Sequence, residues 1–101
     1  MILRIVQMTF KAENIAEFVA LFEERKDRIR SSKGCTHLEL WQDVSNENVF
    51  FTYSNWESEA ELNHYRSSEF FKETWAKTKS LFAEKPQAWS VMQKSTTGKT
   101  Q

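Results

Sequence analysis

Apolar and polar positions divide this chain into strand-like and helix-like segments. Four segments are rich in β-branched and aromatic residues and predict β-strands. These segments span residues 2–10, 35–43, 49–56 and 87–94. In the first and third, bulky apolar residues occupy both parities, as Phe50 and Phe51 do. A strand that is apolar on both faces is covered on both, so we expect these two strands at the centre of one sheet.

Three further segments predict helices. They run from residue 15 to about 30, from 59 to 66 and from 69 to 83. The first and third carry apolar stripes at helical spacing. The stripes comprise Ile15, Phe18, Val19, Phe22 and Ile29 on the first, and Phe71, Trp75, Thr78 and Phe82 on the third. Ser67 and Ser68 separate the last two helices, and Pro86 follows the end of the third. The charged run EERKDRIR is interpreted as the solvated face of the first helix.

Capping residues mark where these helices begin and end. Asn14 with Glu17, and Ser58 with Glu61, have the spacing of capping boxes. In a capping box each side chain satisfies a backbone N–H that the first helical turn leaves unpaired. Gly34 follows the first helix, where a left-handed C-cap is expected.

The order of elements, β-α-β-β-α-α-β, indicates an α+β fold: the ferredoxin-like split βαβ plan with an antiparallel four-stranded sheet. Helices cover only one face of such a sheet. Because the first and third strands are apolar on both faces, we expect the second face to pack on another copy, giving a homodimer. A single domain is expected over residues 1–94, followed by a disordered tail over 95–101.

Charge and composition exclude several classes of partner. Fourteen Lys and Arg balance fourteen Asp and Glu, which argues against nucleic acid or an anionic membrane as partner. The single cysteine, Cys35, allows no intrachain disulfide and favours a reducing compartment. The first ten residues resemble a strand and not a signal peptide, and no apolar run has the length of a membrane span. We therefore expect a cytoplasmic protein.

The sequence contains no complete motif for binding a metal, a nucleotide or RNA. Cys35 and His37 lie two positions apart, on one side of a predicted strand, but a zinc site needs three or four ligands. The only other histidine, His64, lies on a distant predicted helix. The chain has two glycines and lacks the glycine-rich phosphate-binding motifs and the RNA-binding signature of ferredoxin-like domains. We therefore expect neither a metal nor another cofactor.

An aromatic pocket is the remaining candidate site. Trp56 lies where the third strand ends and the next helix begins, and Thr52 and Ser54 share its strand face. His64 and Tyr65 follow on the helix. Such a group of side chains suits a flat aromatic ligand held by stacking and hydrogen bonds. The alternative is that Trp56 is a core residue and His64 a solvated surface residue, which helical spacing favours for His64.

Three stretches of sequence carry a resemblance to a known family: RIVQMTFKAEN, FFTYSNWESEAELNHYRSSEFFKETW and AWSVMQ. Over about residues 1–94 the chain resembles the antibiotic biosynthesis monooxygenase domain. The resemblance implies a dimeric α+β barrel. Similar domains include cofactor-independent monooxygenases that act on phenolic polyketides and quinols, haem-degrading oxygenases, isomerases and members without an assigned role.

The resemblance also assigns positions in the site. Trp56 matches the tryptophan at the strand end of these enzymes. Thr52 stands where polyketide-oxidising members have asparagine. Tyr65 stands at a helix position that is often histidine, one place after His64.

Two of the family's other activities fit less well. Haem-degrading members have a histidine ligand where this chain has Trp75, and a first-strand asparagine where it has Val6, so haem degradation is disfavoured. An isomerase acting on a small sugar-derived molecule would need cationic side chains in the pocket. Arg66 and Lys72 are the nearest candidates, and both are expected to face solvent.

The resemblance and the aromatic pocket together imply a cofactor-independent monooxygenase that oxidises a small aromatic phenol or quinol with O₂. The candidate catalytic residues are Trp56, Tyr65, Thr52 and His64. The alternative from another class is a stress-related barrel that binds a small ligand without turnover.

Overall fold

The computed structural model describes residues 1–97 and shows a four-stranded antiparallel sheet with helices packed on one face. The strands are β1 (Ile2–Thr9), β2 (Cys35–Gln42), β3 (Val49–Trp56) and β4 (Gln87–Val91). The α-helices are α1 (Ile15–Arg30), α2 (Glu59–Arg66) and α3 (Glu69–Lys79). The strand order in the sheet is β2-β3-β1-β4, so β1 and β3 are central, as predicted. The predicted α+β, ferredoxin-like order of elements is confirmed.

Two predicted boundaries were wrong by three or four residues, and the ends of β1 and β2 by one. Helix α3 ends at Lys79, four residues before the predicted end, because the chain turns back towards β1. There the backbone N–H of Ala83 donates to the carbonyl of Thr9 at 2.8 Å. Strand β4 ends at Val91 and does not reach residue 94. Residues 95–97 are exposed and form neither helix nor strand, and 98–101 lie outside the described residues, so the domain boundary and the disordered tail remain predictions.

Strand register divides the helix-facing side of the sheet into apolar and polar parts. One core cluster comprises Met8, Phe10, Phe18, Phe22, Phe50 and Leu81, and a second comprises Cys35, Trp56 and Leu62. Between them runs a cross-strand row, here called the polar row, of Leu38, Ser54, Arg4 and Ser90. Because the two serines of this row are small, it fills less of the space between sheet and helices than the two clusters do, and a cavity is expected above it.

The opposite face of the sheet, here called the open face, is apolar and bears no helix within residues 1–97. Ile5 pairs with Tyr53 on one side and with Trp89 on the other. Trp89 and Trp41 on this face are 43% and 40% exposed. The prediction that the central strands carry apolar residues on both faces is therefore confirmed.

The predicted N-cap of α2 forms and α3 is also capped, whereas the predicted cap of α1 does not form. The hydroxyl of Ser58 accepts from the backbone N–H of Glu61 at 3.2 Å, and Ser68 caps α3 in the same way. Asn14 makes no capping bond, because a 3₁₀ turn at Ala12–Asn14 precedes α1 and its side chain instead donates to the carbonyl of Leu81.

Gly34 adopts the left-handed conformation that its position predicted, with φ of +88°. The same glycine lies against the side chain of Glu61, on the first turn of α2. The carboxylate oxygen Oε2 of Glu61 is buried without a hydrogen-bond partner in residues 1–97, so the capping box at Ser58 is only half formed. No helix in the described part of the chain has the length and hydropathy needed to cross a membrane.

Candidate functional site

A cavity of about 370 Å³ lies between the sheet and the helices, above the polar row. Its floor includes Arg4, Thr52, Ser54 and Trp56 from the two central strands. Its other walls come from all three α-helices and from residues 86–88, at the edge strand β4. β4 is exposed along its whole length, which leaves this side of the cavity uncovered. The volume lies within the range of small-molecule sites, about 300–1,000 Å³.

Trp56 is fixed in the wall of this cavity. Its side chain is 1% exposed, and its indole N–H donates to the hydroxyl of Ser54 at 3.0 Å. Because Ser54 lies two residues earlier on the same strand face, the register of β3 itself aligns these two groups. This hydrogen bond holds the indole ring in a stacked contact with Tyr65, with ring centroids 5.0 Å apart.

The aromatic wall continues from Trp56 through Tyr65 to α3. Tyr65 meets Phe71 edge to face at 5.2 Å, and Phe71 stacks on Trp75 at 6.1 Å. Burial, with a smaller contribution from the nearby Cys35, raises the pKa of Tyr65 far above its ordinary value. Its phenol therefore stays protonated near neutral pH, where it can donate a hydrogen bond but cannot act as a base.

Three of the four predicted site residues meet at the cavity. Trp56, Tyr65 and Thr52 all line it, whereas His64 is exposed on α2 and does not. The helix turns Leu62 and Tyr65 inward, and one residue earlier or later on a helix is displaced by about 100°. His64 therefore lies outside the cavity, in the exposed position that helical spacing favours for it.

Two arginines, Arg4 and Arg66, also line the cavity, although neither was predicted to lie there. Arg4 is half-buried on β1, and its guanidinium donates to the hydroxyl of Ser90 at 2.9 Å. Arg66 is exposed, as predicted, and also lines the cavity, whereas Lys72 is exposed and does not line it. Burial, and then the neighbouring charge of Arg66, lower the pKa of Arg4. The available signal was the parity of β1, where Arg4 interrupts an otherwise apolar face.

A third arginine, Arg25 of α1, lies in the charged run that was interpreted as solvated, and for this residue that interpretation was wrong. Its side chain is only 13% exposed and lines the cavity. It donates to Glu73 at 3.1 Å and to Thr74 at 2.7 Å, both on α3. Its other partner is Glu24 on its own helix. Arg25 therefore joins α1 to α3, and neighbouring carboxylates balance its charge.

Cys35 and His37 do not share a face, contrary to the prediction. A register shift in β2 pairs Cys35 with Trp56 and His37 with Asn55, which point to opposite faces of the sheet. The thiol of Cys35 is buried beneath α2 and donates weakly to the backbone carbonyl of His37. Burial raises the pKa of Cys35, which disfavours the reactive thiolate. Within residues 1–97, no group of three or more His, Cys, Asp or Glu is placed to hold a metal ion.

Comparison with known proteins gives the family and the fold. The sequence profile of the antibiotic biosynthesis monooxygenase family matches residues 1–77. No curated protein is significantly similar to the chain in sequence. A conserved protein from Methanosarcina mazei Go1 is similar in structure, with a TM-score of 0.86 at 20% identity over 93% of this chain and 94% of that one. A solved structure named antibiotic biosynthesis monooxygenase gives 0.87 at 19% identity over 94% and 100%.

Rv0793 from Mycobacterium tuberculosis gives a TM-score of 0.85 at 14% identity, covering 94% of this chain and 96% of that one. At such identities the structural likeness supports the fold alone. The family assignment rests on the sequence profile, which covers more than half of the chain and includes β1, β3 and the helices that enclose the cavity. The chain belongs to the antibiotic biosynthesis monooxygenase family.

Proposed function

We propose that this protein is a cofactor-independent monooxygenase that oxidises a small aromatic phenol or quinol with O₂. The observation that carries the proposal is the cavity of about 370 Å³ in which Trp56, Tyr65 and Thr52 meet. A flat aromatic wall with a few polar groups is the composition expected of a site for a planar, oxygenated ring. Membership of the family supports the same class of reaction.

The proposed chemistry needs no cofactor, because an ionised phenol or its carbanion is a strong enough electron donor to reduce O₂. The substrate first loses a proton, from its phenol oxygen or from the ring carbon conjugated with it, and the resulting anion passes one electron to O₂. The two radicals combine at that carbon to form a carbon–oxygen bond, and the peroxide anion takes up a proton from water. The hydroperoxide then loses water, which carries away the remaining hydrogen of that carbon, to leave a ketone. One oxygen atom of O₂ enters the product and the other leaves as water.

Each lining residue has a role that fits its geometry. The partly exposed rings of the wall, Tyr65, Phe71 and Trp75, stack on the substrate and keep bulk water from it. Trp56, which is 1% exposed, holds Tyr65 in place from behind. Tyr65, which stays protonated, donates a hydrogen bond to the substrate oxygen as negative charge develops there. Thr52, half-buried on the cavity floor, orients a second oxygen. His64 has no part in this arrangement.

We also propose that the protein is a homodimer in which two open faces pack together. The apolar side chains of this face, among them Trp41, Trp89 and Val91, are 40–43% exposed in the single chain. Covering them removes apolar surface from water. A cytoplasmic location stays a prediction from the sequence.

Oxygen uptake tests the proposed activity. The protein is incubated with a panel of anthrones and quinols, and O₂ consumption is followed with an electrode. Wild type is expected to consume O₂ above the uncatalysed rate with at least one compound. Trp56→Phe and Thr52→Val are each expected to lower kcat/KM about tenfold, the loss of about 1.4 kcal/mol of transition-state stabilisation.

Trp41→Phe is the matched control, because Trp41 is a tryptophan on the open face, away from the cavity. It is expected to keep the wild-type rate. If wild type consumed O₂ no faster than the uncatalysed rate with every compound of the panel, the proposed activity would be refuted.

Binding without turnover is the second candidate, and one observation favours it. Among the described residues that line the cavity there is no Asp, Glu or His to act as a base. Tyr65 cannot act as one near neutral pH, because its pKa is raised. Tight binding of panel compounds together with background O₂ uptake would support this candidate.

A further inference from the structure

We propose that the ligand of this cavity is an aromatic molecule with an anionic oxygen group, and that Arg4 and Arg66 bind that group. The inference deepens the proposed function, on which it rests, because it names the substrate class of the same cavity. It is carried by the charges that line the cavity and by where they lie relative to the aromatic wall.

The positive charge in the cavity lacks a matching negative charge. Within residues 1–97, neither Arg4 nor Arg66 forms an ion pair with a carboxylate. No acidic side chain lines the cavity in this part of the chain. Arg25 differs, because Glu24 and Glu73 neutralise it. Like charges brought together where water is partly excluded are unfavourable, and a bound anion relieves this cost.

The position of Arg4 shows where the anion would lie. Arg4 pairs across the sheet with Ser54 on β3 and with Ser90 on β4. The hydrogen bond to Ser90 fixes one guanidinium nitrogen towards the uncovered β4 side. An arginine has five N–H donors, so several are available for a ligand. The hydroxyl of Ser54, the cross-strand neighbour of Arg4, accepts a hydrogen bond from the indole N–H of Trp56. A single residue, Ser54, therefore separates Arg4 from the aromatic wall.

This arrangement fits a planar ring that carries an oxyanion at its edge. The ring stacks on the partly exposed wall of Tyr65, Phe71 and Trp75, and the oxyanion meets Arg4, with Arg66 adding a second positive charge. Guanidinium groups bind carboxylates and other oxyanions through short, charge-assisted hydrogen bonds. A carboxylate and an ionised phenol both supply this chemistry.

Binding an ionised phenol in this way would also supply what the cavity lacks for the proposed reaction. A positive charge close to a phenol lowers its pKa, so the two arginines favour the electron-rich anion that reacts with O₂. The cavity then needs no carboxylate or imidazole base, because the released proton passes to water at the uncovered β4 side.

A set of naphthalene ligands tests the proposal without turnover. 2-Naphthoate carries a carboxylate, 2-naphthamide is its neutral analogue, and 2-naphthol tests the ionised phenol. Dissociation constants are measured by calorimetry near neutral pH for wild type, Arg4→Met, Arg66→Met and Lys72→Met. Lys72→Met is the matched control, because it removes one positive charge from α3 outside the cavity.

Wild type is expected to bind 2-naphthoate at least tenfold more tightly than 2-naphthamide, and Lys72→Met to keep that ratio. The ratio is expected to fall to near one in Arg4→Met and to fall several-fold in Arg66→Met. Arg4→Lys, which keeps the charge, is expected to retain part of it. If 2-naphthol also binds as the anion, its absorbance shifts to that of naphtholate at a pH where the free compound is neutral.

Equal affinity of wild type for 2-naphthoate and 2-naphthamide would overturn the proposal, as would a ratio that survives in both Arg4→Met and Arg66→Met. Arg66 is exposed, so Arg66→Met carries the test if Arg4→Met does not fold. 2-Naphthoate has no oxidisable phenol. Its binding can therefore succeed where O₂ uptake fails, and the two proposals fail separately.

Discussion

The indole of Trp56 stacks on the phenol ring of Tyr65 with centroids 5.0 Å apart and planes inclined by 30°. Trp56 is the last residue of β3 and Tyr65 lies on α2, so the contact closes the turn between strand and helix. Ser58, the N-cap of α2, fixes where the helix begins and hence where Tyr65 lies. The same ring pair forms one end of the cavity wall, which couples local stability to the shape of the site.

The hydrogen bond between Trp56 and Ser54 is expected to stabilise this corner measurably. Both side chains are buried, and a net hydrogen bond contributes about 1 kcal/mol. Removing only one partner leaves a buried polar group unpaired, which costs about 1–3 kcal/mol. Trp56→Phe and Ser54→Ala are therefore each expected to lower the free energy of unfolding by about 1–3 kcal/mol, measured by urea denaturation.

The double variant supplies the control for this prediction. If the two groups interact, Trp56→Phe with Ser54→Ala loses less stability than the sum of the single changes. Additive losses would mean that the indole N–H and the hydroxyl are not coupled, and that the single effects come from packing alone.

Tyr65 is expected to make stability fall at alkaline pH. Its pKa is raised in the folded protein, chiefly by burial, whereas in the unfolded chain it ionises near its ordinary value of about 10. The unfolded chain therefore releases this proton first. The contribution of Tyr65 to the free energy of unfolding is constant below about pH 10 and declines as the pH rises above it.

Urea denaturation at a series of pH values from about 8 to 11 checks this sign, since the window brackets the unfolded pKa of about 10. Tyr65→Phe is expected to show a shallower alkaline decline than wild type. Equal slopes for wild type and Tyr65→Phe would show that the phenol ionises as easily in the folded protein as in the unfolded chain.

Most of the fold could be predicted from the parity and spacing of apolar residues, because burial on one face imposes those periods directly. The parity of Phe50 and Phe51 places β3 at the sheet centre, and the stripe containing Phe18 and Phe22 gives the buried face of α1. Strand β4 was predicted too long, because its pairing with β1 ends where Val91 meets Leu3, next to the first residue of β1.

The site was harder to predict, because its residues depend on tertiary detail that has no sequence period. A β-bulge in β2 separates Cys35 from His37, although a regular strand would place them together. Arg66 enters the cavity only because the short helix α2 turns it there, next to Arg4. Trp56 and Tyr65 were found because a strand end followed by a capped helix is a local signal.

Gly34 is expected to tolerate no side chain. Its φ of +88° disfavours any residue with a Cβ, and a Cβ there would lie 2.5 Å from the Cβ of Glu61. The conformation costs about 1–2 kcal/mol and the overlap about 1–3 kcal/mol more. Gly34→Ala is therefore expected to lower the free energy of unfolding by about 2–5 kcal/mol in urea denaturation.

Lys33→Ala is the control for this substitution, because Lys33 is exposed and adjacent. It is expected to change stability by no more than about 0.5 kcal/mol. A Gly34→Ala variant as stable as Lys33→Ala would mean that the turn before β2 relaxes away from α2 at little cost.

A charge placed on the open face is expected to dissociate the proposed homodimer. Trp89, at the centre of the edge strand β4, pairs with Ile5 on that face and is 43% exposed in the single chain. A lysine there would have to be buried without a partner, which costs several kcal/mol in an interface. Sedimentation equilibrium at micromolar concentration should therefore show a dimer for wild type and a monomer for Trp89→Lys.

Val44→Lys is the matched control, because Val44 is fully exposed in the turn between β2 and β3. This variant should remain dimeric. A monomeric wild type, or a Trp89→Lys variant as dimeric as Val44→Lys, would exclude packing through this face.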